Sequence, residues 1–310
     1  ERLREALARG RRALFDARER RVKPDRDEKV LTAWNGLMLA AFAEAAAILE
    51  REDYLRAAKN NAQFVLDNLR REGLLLRTYK DGQAKLNAYL EDYAFFIDGL
   101  LALYEAAGEL RWLEEALSLA LTMNAEFWDE QEGGYFYTGR SHEELIVRSK
   151  DFMDNATPSG NSVAAEVLLK LAVLTGNEEY NRRAVMIFRL LRDSLTRYPT
   201  AFGRLLAALD FYLSTPKEIA IIGPRGEAQT QALVREVWKQ YLPNKVLAQA
   251  EEQETRAAEI VPLLRERSMT RGLATAFVCE RYTCQQPVNT AEELAAQLAV
   301  ERVGDAAGAP

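Results

Sequence analysis

The chain has 310 residues, 48% of them hydrophobic and 28% charged, enough apolar material for one large domain or two smaller ones. Its formal net charge of -6 supplies no broad cationic field, which argues against non-specific nucleic-acid binding and against attraction to an anionic membrane surface. The most apolar stretch, Leu37 to Leu49, is broken by Glu44 and is much shorter than the ~20 residues of a membrane span.

The chain opens ERLREALARG, with no initiator Met and no apolar leader, and the expectation is a piece of a longer protein. Leu3, Leu7 and Leu14 predict an N-terminal outer helix. A run that is apolar almost all round, MLAAFAEAAAIL, predicts a first inner helix over residues 30–49. Similar runs, AFFIDGLLALYEAA, SVAAEVLLKLAVL and PTAFGRLLAALDFYL, predict inner helices over 89–107, 158–175 and 200–213. The first three lead into amphipathic segments, LEREDYLRAA, AGELRWLEEA and TGNEEYNRRA, where Glu50, Gly108 and Gly176 fall in register, as do Tyr54, Trp112 and Tyr180. Such a repeat predicts αα-hairpins with the second helix outside.

Residues 73–85 and 133–147 alternate and carry turn residues, so each predicts a β-hairpin on one rim. The inner-helix starts, KVLTAWNG, YLEDYA, DNATPSGNS and YPTAFG, are then expected on the same face. After Thr215-Pro216 the pattern changes to strand, helix, strand, helix, strand and helix, from KEIAIIG to the region of Ala291. The fold class is therefore mainly α, a toroid of helical hairpins over residues 1–214, with a small α/β appendage over residues 215–310.

Three clusters of polar residues lie at the inner-helix starts. Asp25, Asp27, Trp34 and Asn35 open the first, and carboxylates beside an indole suit a sugar, whose hydroxyls need acceptors and whose ring face stacks on an aromatic. Glu91, Asp92 and Tyr93 open the second, where the helix macrodipole alone also favours acids. Asp151, Asp154, Asn155, Ser159 and Asn161 surround Pro158 in the third, where Thr157 is a good N-cap. Asp27, Glu91, Asp92 and Asp154 are the carboxyls from which a glycosidase-type pair could be drawn, with Asp25, Trp34, Asn35, Tyr93, Asn155, Ser159 and Asn161 as substrate contacts. The single histidine, His142, reads as a surface residue of the second rim hairpin. Cys279 and Cys284 form C-x4-C, neither a redox C-x-x-C nor part of a four-ligand zinc set, and are expected as buried reduced thiols in a cytoplasmic protein. Gly223-Pro224-Arg225-Gly226 lacks the Lys-Ser/Thr of a phosphate loop and reads as a plain βα turn. No metal or cofactor is expected.

The stretches PDRDEKVLTAWNGLMLAAFAEA, LEDYAFFIDGLLALYEAAG, DNATPSGNSVAAEVLLKLAVLTG and FVCERYTCQQPV closely resemble the C-terminal portion of the spermatogenesis-associated protein 20 family, also called the YyaL family of thioredoxin-domain-containing proteins. Members are similar in their helical part to six-hairpin (α/α)6-toroid glycosidases and to the N-acylglucosamine 2-epimerase group. The resemblance implies a thioredoxin-like domain and further toroid helices upstream, leaving an incomplete ring whose bare edge could pair with a second copy. Two functions compete. One is a carbohydrate-active or carbohydrate-binding toroid using paired carboxylates; the other is a non-catalytic helical scaffold whose acids are structural. Thiol redox work through the two cysteines is a third.

Overall fold

The structure is a computed structural model and describes residues 1–281 and 283–299. Residues 1–30 form a compact unit by themselves, consisting of α1 (Arg2–Glu19) and an extended tail. The α1 helix leaves Leu3, Leu7, Leu14 and Phe15 exposed. A two-residue strand, β1 (Val30–Leu31), follows at the join.

From Leu31 onward the chain is a second unit built from helical hairpins. Their inner members are α2 (Thr32–Ile48), α4 (Leu90–Ala107), α6 (Gly160–Thr175) and α8 (Gly203–Leu213). The outer members are α3 (Glu52–Asn68), α5 (Leu110–Phe127) and α7 (Glu178–Arg197). The inner helices pack in sequence order, α2 on α4, α4 on α6 and α6 on α8, while each outer helix backs its own inner partner. This is the arc of an (α/α) toroid. The all-round apolar composition of α4 follows from its position, since from Leu90 to Glu105 only Glu91 escapes burial.

The hairpin turns explain the register of Glu50, Gly108 and Gly176. All three adopt left-handed backbone, with φ of 53, 67 and 69°, so α2, α4 and α6 end in the same way before the chain reverses. Glycine meets this conformation freely and Glu50 does not. A second pair of glycines sets the closest approach in the arc. A methyl at Gly36 of α2 would lie 2.5 Å from the Phe95 carbonyl carbon, and one at Gly99 of α4 would lie 2.8 Å from the Gly36 oxygen, so the two helices touch backbone to backbone.

Between α3 and α4 run β2 (Arg70–Arg71), β3 (Leu74–Lys80) and β4 (Gln83–Asn87), with Thr78 opposite Lys85 across the predicted first rim hairpin. The second expected hairpin, over 133–147, does not form. Gly133 and Gly134 both turn the chain at positive φ, an isolated bridge joins Trp128 to Tyr135, and the rest is irregular. Its alternating aromatics pack instead of pairing: Tyr135 lies edge-on to Trp128 at 4.9 Å, and Phe136 lies beneath the Arg148 guanidinium at 4.3 Å.

The C-terminal region carries β5 (Lys217–Ile222), α9 (Ala228–Lys239), β6 (Lys245–Ala250), α10 (Thr255–Ile260), β7 (Thr275–Glu280), β8 (Thr283–Cys284) and α11 (Ala291–Leu298). The sheet order is β6-β5-β7-β8, with β5 parallel to β6 and antiparallel to β7. Ile219, Ile221, Leu233, Val237, Leu247 and Val278 form its core. Glu105 at the end of α4 ties this sheet to the arc: its carboxylate accepts the Leu247 N–H at 3.1 Å and pairs with Lys245 at 3.2 Å. Among the described residues no helix is long and apolar enough to cross a membrane.

The turn geometry gives an opposed pair of outcomes in urea unfolding. Glu50→Gly relieves a left-handed non-glycine residue and is expected to stabilise the fold by about 0.5–1 kcal/mol. Gly108→Ala both strains the turn and brings a methyl within 2.9 Å of the Gln249 side-chain oxygen, and is expected to cost at least about 1 kcal/mol.

Candidate functional site

Two carboxylates each tie a pair of inner-helix starts, α2 to α4 and α6 to α8, and close packing joins the two pairs. Asp92, in the first turn of α4 and fully buried, accepts the Ala33 N–H of α2 at 2.9 Å through Oδ1. Its Oδ2 accepts the Tyr89 N–H at 2.9 Å and faces Arg77 of β3 at 3.2 Å. The start of α6 lies against that of α4, where a methyl at Gly160 would meet Leu90 Cγ at 2.9 Å and the Glu91 nitrogen at 3.2 Å. Asp154 then joins α6 to α8, accepting the Ser159 N–H and the Arg204 N–H, both at 2.8 Å. The expectation that these starts share a face holds because each carboxylate answers amides that two helix N-termini leave unpaired.

Several candidates thereby have their polar atoms committed to backbone. Asn161 accepts the Tyr135 N–H at 2.8 Å and donates to the Tyr135 and Asp151 carbonyls, each at 2.9 Å. Ser159, not Thr157, is the N-cap of α6, its Oγ accepting from the Asn161 and Ser162 amides. Tyr93 is buried, its hydroxyl accepts the Leu75 N–H at 2.8 Å, and burial pushes its pKa up to about 12. Asn35 donates to the Leu31 carbonyl at 2.8 Å and accepts from Asn61 at 2.6 Å. Trp34 projects outward, 63% exposed. Asp151 and Asn155 are exposed on the loop before α6. Asp25 and Asp27 lie in the N-terminal unit, where Asp27 pairs with Lys29 at 3.1 Å.

Around Glu91 the arrangement differs, because its carboxylate answers a side chain and keeps partial access to solvent. Arg77 Nη1 donates to Glu91 Oε1 at 2.9 Å, and the two side chains are 25% and 23% exposed. The Arg77 guanidinium lies 4.7 Å over the Tyr89 ring. Tyr89 stacks on Tyr137 with ring centres 4.7 Å apart and on His142 at 5.1 Å. His142 is therefore half-buried in this aromatic group, its Nδ1 accepting the Gly139 N–H at 3.1 Å, and the reading of it as a surface residue is corrected. The irregular path of residues 135–149 that replaced the expected hairpin is what brings Tyr137 and His142 here, with the Tyr137 carbonyl accepting the Leu90 N–H at 3.1 Å.

Burial pushes the Asp92 carboxyl up to about 6, against the pull of the Tyr89 amide and Arg77. Tyr137 is also raised, first by burial and then by the Glu91 charge. Burial alone would lower Arg77, but Asp92 and Glu91 outweigh it and the net direction is upward.

Deeper in the arc lies an ionic group that sequence reading passed over. Arg204 of α8 pairs with Asp98 of α4 at 2.8 Å and with Glu166 of α6 at 2.5 Å, while Lys170 pairs with Glu166 at 3.1 Å and Asp98 at 3.9 Å. Burial raises the Asp98 carboxyl. Glu166 is held below its ordinary range because Lys170 and Arg204 outweigh its own burial. The signal was present as charges inside otherwise apolar runs, AFFIDGLL and AAEVLLKL. Arg77, Tyr89 and Tyr137 offered no such signal. Among the described residues no group of three or more His, Cys, Asp and Glu side chains is placed to hold a metal.

The two cysteines depart from expectation. Cys279 and Cys284 are paired in a disulfide across β7 and β8, not held as separate reduced thiols. Adjacent placement on neighbouring strands, invisible in the C-x4-C spacing, is the reason.

No protein-family model matches the chain. It is 37% identical over 306 residues to spermatogenesis-associated protein 20 of Homo sapiens and 36% identical over 306 residues to that of Rattus norvegicus, in each case aligning 95% of this chain. The chain spans 39% of the length of these curated relatives. A sugar epimerase from a ruminal bacterium is 16% identical with a TM-score of 0.47, covering 85% of this chain and 67% of that one. Cellobiose 2-epimerase from Spirochaeta thermophila DSM 6192 is 18% identical with a TM-score of 0.45, covering 55% and 44%.

The raised Asp92 carboxyl makes the fold less stable as pH rises. Its folded-state pKa lies above that of an unfolded aspartate, so its favourable contribution is complete below pH ~4 and is lost as pH rises through about 6. Relative to Asp92→Asn, wild-type stability should therefore decline by up to about 3 kcal/mol between pH ~4 and ~6.5. Urea midpoints collected for both proteins across that range check it, and parallel profiles would show a normally titrating carboxyl.

Proposed function

Starting from homology to a segment of spermatogenesis-associated protein 20 across nearly the whole chain, we propose that this toroid binds a carbohydrate at the start of α4. The observation that carries the reading is the Arg77–Glu91 pair, partly exposed beside Tyr89 and Tyr137 while neighbouring Asp92 is buried. A sugar presents vicinal hydroxyls that both donate and accept. A carboxylate and a guanidinium held together offer the matching acceptor and donors, and a phenol supplies either. Trp34, next to the Ala33 amide that Asp92 holds, offers the exposed apolar face on which a pyranose ring stacks.

Within this reading the acids divide by role. Glu91 is the carboxyl a ligand reaches, and it is the one suited to transfer a proton to or from a sugar oxygen. Asp92 is a positioning residue, since it is fully buried and acts through Arg77, the α2 start and the α4 N-cap. Asp154 holds α6 and α8 together by the same means. The competing scaffold reading draws its support from these committed carboxylates.

A panel of neutral, amino and uronic mono- and disaccharides, screened by thermal shift and followed by calorimetry, separates the two. A bound saccharide should raise the melting temperature. Glu91→Gln and Tyr137→Phe are each expected to weaken it about tenfold or more while moving the ligand-free melting temperature little. Asp154→Asn should instead lower stability. A panel in which no sugar stabilises the protein would favour the scaffold.

A further inference from the structure

We propose that the Cys279–Cys284 disulfide is a redox site that exchanges with a dithiol, Cys284 being the sulfur attacked and Arg267 the residue that receives the thiolates. It is independent of the carbohydrate reading and uses a different part of the fold.

The bond joins directly opposed residues near the tip of the β7–β8 hairpin. The adjoining Glu280–Thr283 pair flanks the turn, and on the other side the Gln285 N–H donates to the Val278 carbonyl at 2.9 Å. The cysteines thus occupy a position where cross-strand side chains come closest. Only four residues separate them, so the bridge constrains little of the unfolded chain and adds little as a staple. Its two ends are unequal. Cys279 is 1% exposed, whereas Cys284 lies on the exposed edge strand. A nucleophile therefore has access to one sulfur.

Arg267 supplies the second observation. Its Nη2 donates to Cys279 Sγ at 3.1 Å and to Cys284 Sγ at 3.0 Å. The guanidinium is fixed there by Nε donating to the Leu263 carbonyl at 2.5 Å and by its place 4.6 Å over the Phe277 ring. Other charged groups nearby are Glu218, opposite Cys279 on β5, and the Lys217–Glu280 pair; Arg267 is the charged group placed against the sulfurs. A fixed cation beside both sulfurs stabilises whichever leaves as thiolate, which is what reversible exchange requires.

The steps balance. A thiolate of the incoming dithiol attacks Cys284 Sγ, the S–S bond breaks, and the electron pair leaves on Cys279 Sγ against the Arg267 N–H. The second thiol of the dithiol, losing its proton to solvent, attacks its own sulfur in the mixed disulfide and expels the Cys284 thiolate onto the same guanidinium. The dithiol is oxidised to a disulfide, the cysteine pair is reduced by two electrons, and the two thiol protons pass to solvent or to the new thiolates. A small dithiol and a protein-borne one share this chemistry.

The test uses the full chain and dithiothreitol as the probe, with mercaptoethanol as a monothiol. In the folded protein, acid-quenched mass mapping of the mercaptoethanol adduct should place it on Cys284, and dithiothreitol should reduce the bond without denaturant. Arg267→Gln should slow reduction about tenfold, and Arg267→Lys should recover part of the rate, with circular dichroism unchanged. With a single cysteine left, Cys279→Ser should react with an aromatic disulfide at least about tenfold faster than Cys284→Ser. An adduct on Cys279, a bond that opens only in denaturant, or an Arg267→Gln rate equal to wild type would each overturn the proposal. Mass mapping of the wild-type adduct decides the matter even if a cysteine variant fails to fold. Faster reaction with a reduced protein dithiol than with dithiothreitol would assign the physiological donor to a protein, and the reverse order to a small molecule.

Discussion

The rim depends on one carboxylate. A hairpin toroid brings several helix N-termini together, and each arrives with amides that its own helix cannot satisfy. Asp92 resolves two of these at once, holding the Ala33 amide of α2 and the Tyr89 amide of α4, with Arg77 as its counter-charge. Without an acceptor there, two helix starts would be buried unpaired, which costs more than a hydrogen bond returns. The backbone contact at Gly36 and Gly99 lies directly beneath and is possible only while α2 and α4 keep that register.

The same constraint divides the polar residues into two groups. Asp92, Asp154, Ser159 and Asn161 are aimed at main-chain groups: Asp92 joins α2 to α4, Asp154 joins α6 to α8, and Ser159 and Asn161 fix the α6 start against the Asp151 and Tyr135 backbone. Arg77 and Glu91 are aimed at each other and keep part of their surface exposed. Beneath them, Asp98, Glu166, Lys170 and Arg204 form an ionic group drawn from three inner helices. One arginine contacts two carboxyls whose surroundings push them in opposite directions, one toward its protonated form and the other toward its ionised form. Breaking such a group on one side would leave a buried charge without its partner.

The helices were legible because long apolar runs alternate with amphipathic segments and the turns between them repeat. The register of Glu50, Gly108 and Gly176 corresponds to three left-handed residues, so a sequence alignment of the chain with itself located a backbone conformation. Acids at helix starts were equally visible, but whether a carboxylate serves amides or solvent depends on which other helix start lies beside it. That information is tertiary. The aromatic group around Tyr89 was hidden for a related reason: alternation in GGYFYTG matches a strand, yet paired glycines and the packing of Tyr135 on Trp128 turn the segment into a loop that carries Tyr137 and His142 inward. The disulfide was hidden because C-x4-C says nothing of strand register.

The proposed ligand site at the start of α4, framed by the neighbouring acids, makes a direct demand on the tyrosines around it. Tyrosine-selective 13C labelling reads this directly, since Tyr89 and Tyr137 line the proposed site while Tyr104 and Tyr135 are buried elsewhere in the core. On titration with a stabilising saccharide, the Tyr89 and Tyr137 ring resonances should move in a saturable way while those of Tyr104 and Tyr135 stay in place. Shifts confined to other tyrosines, or none at any saccharide concentration, would rule out a saccharide site at the start of α4.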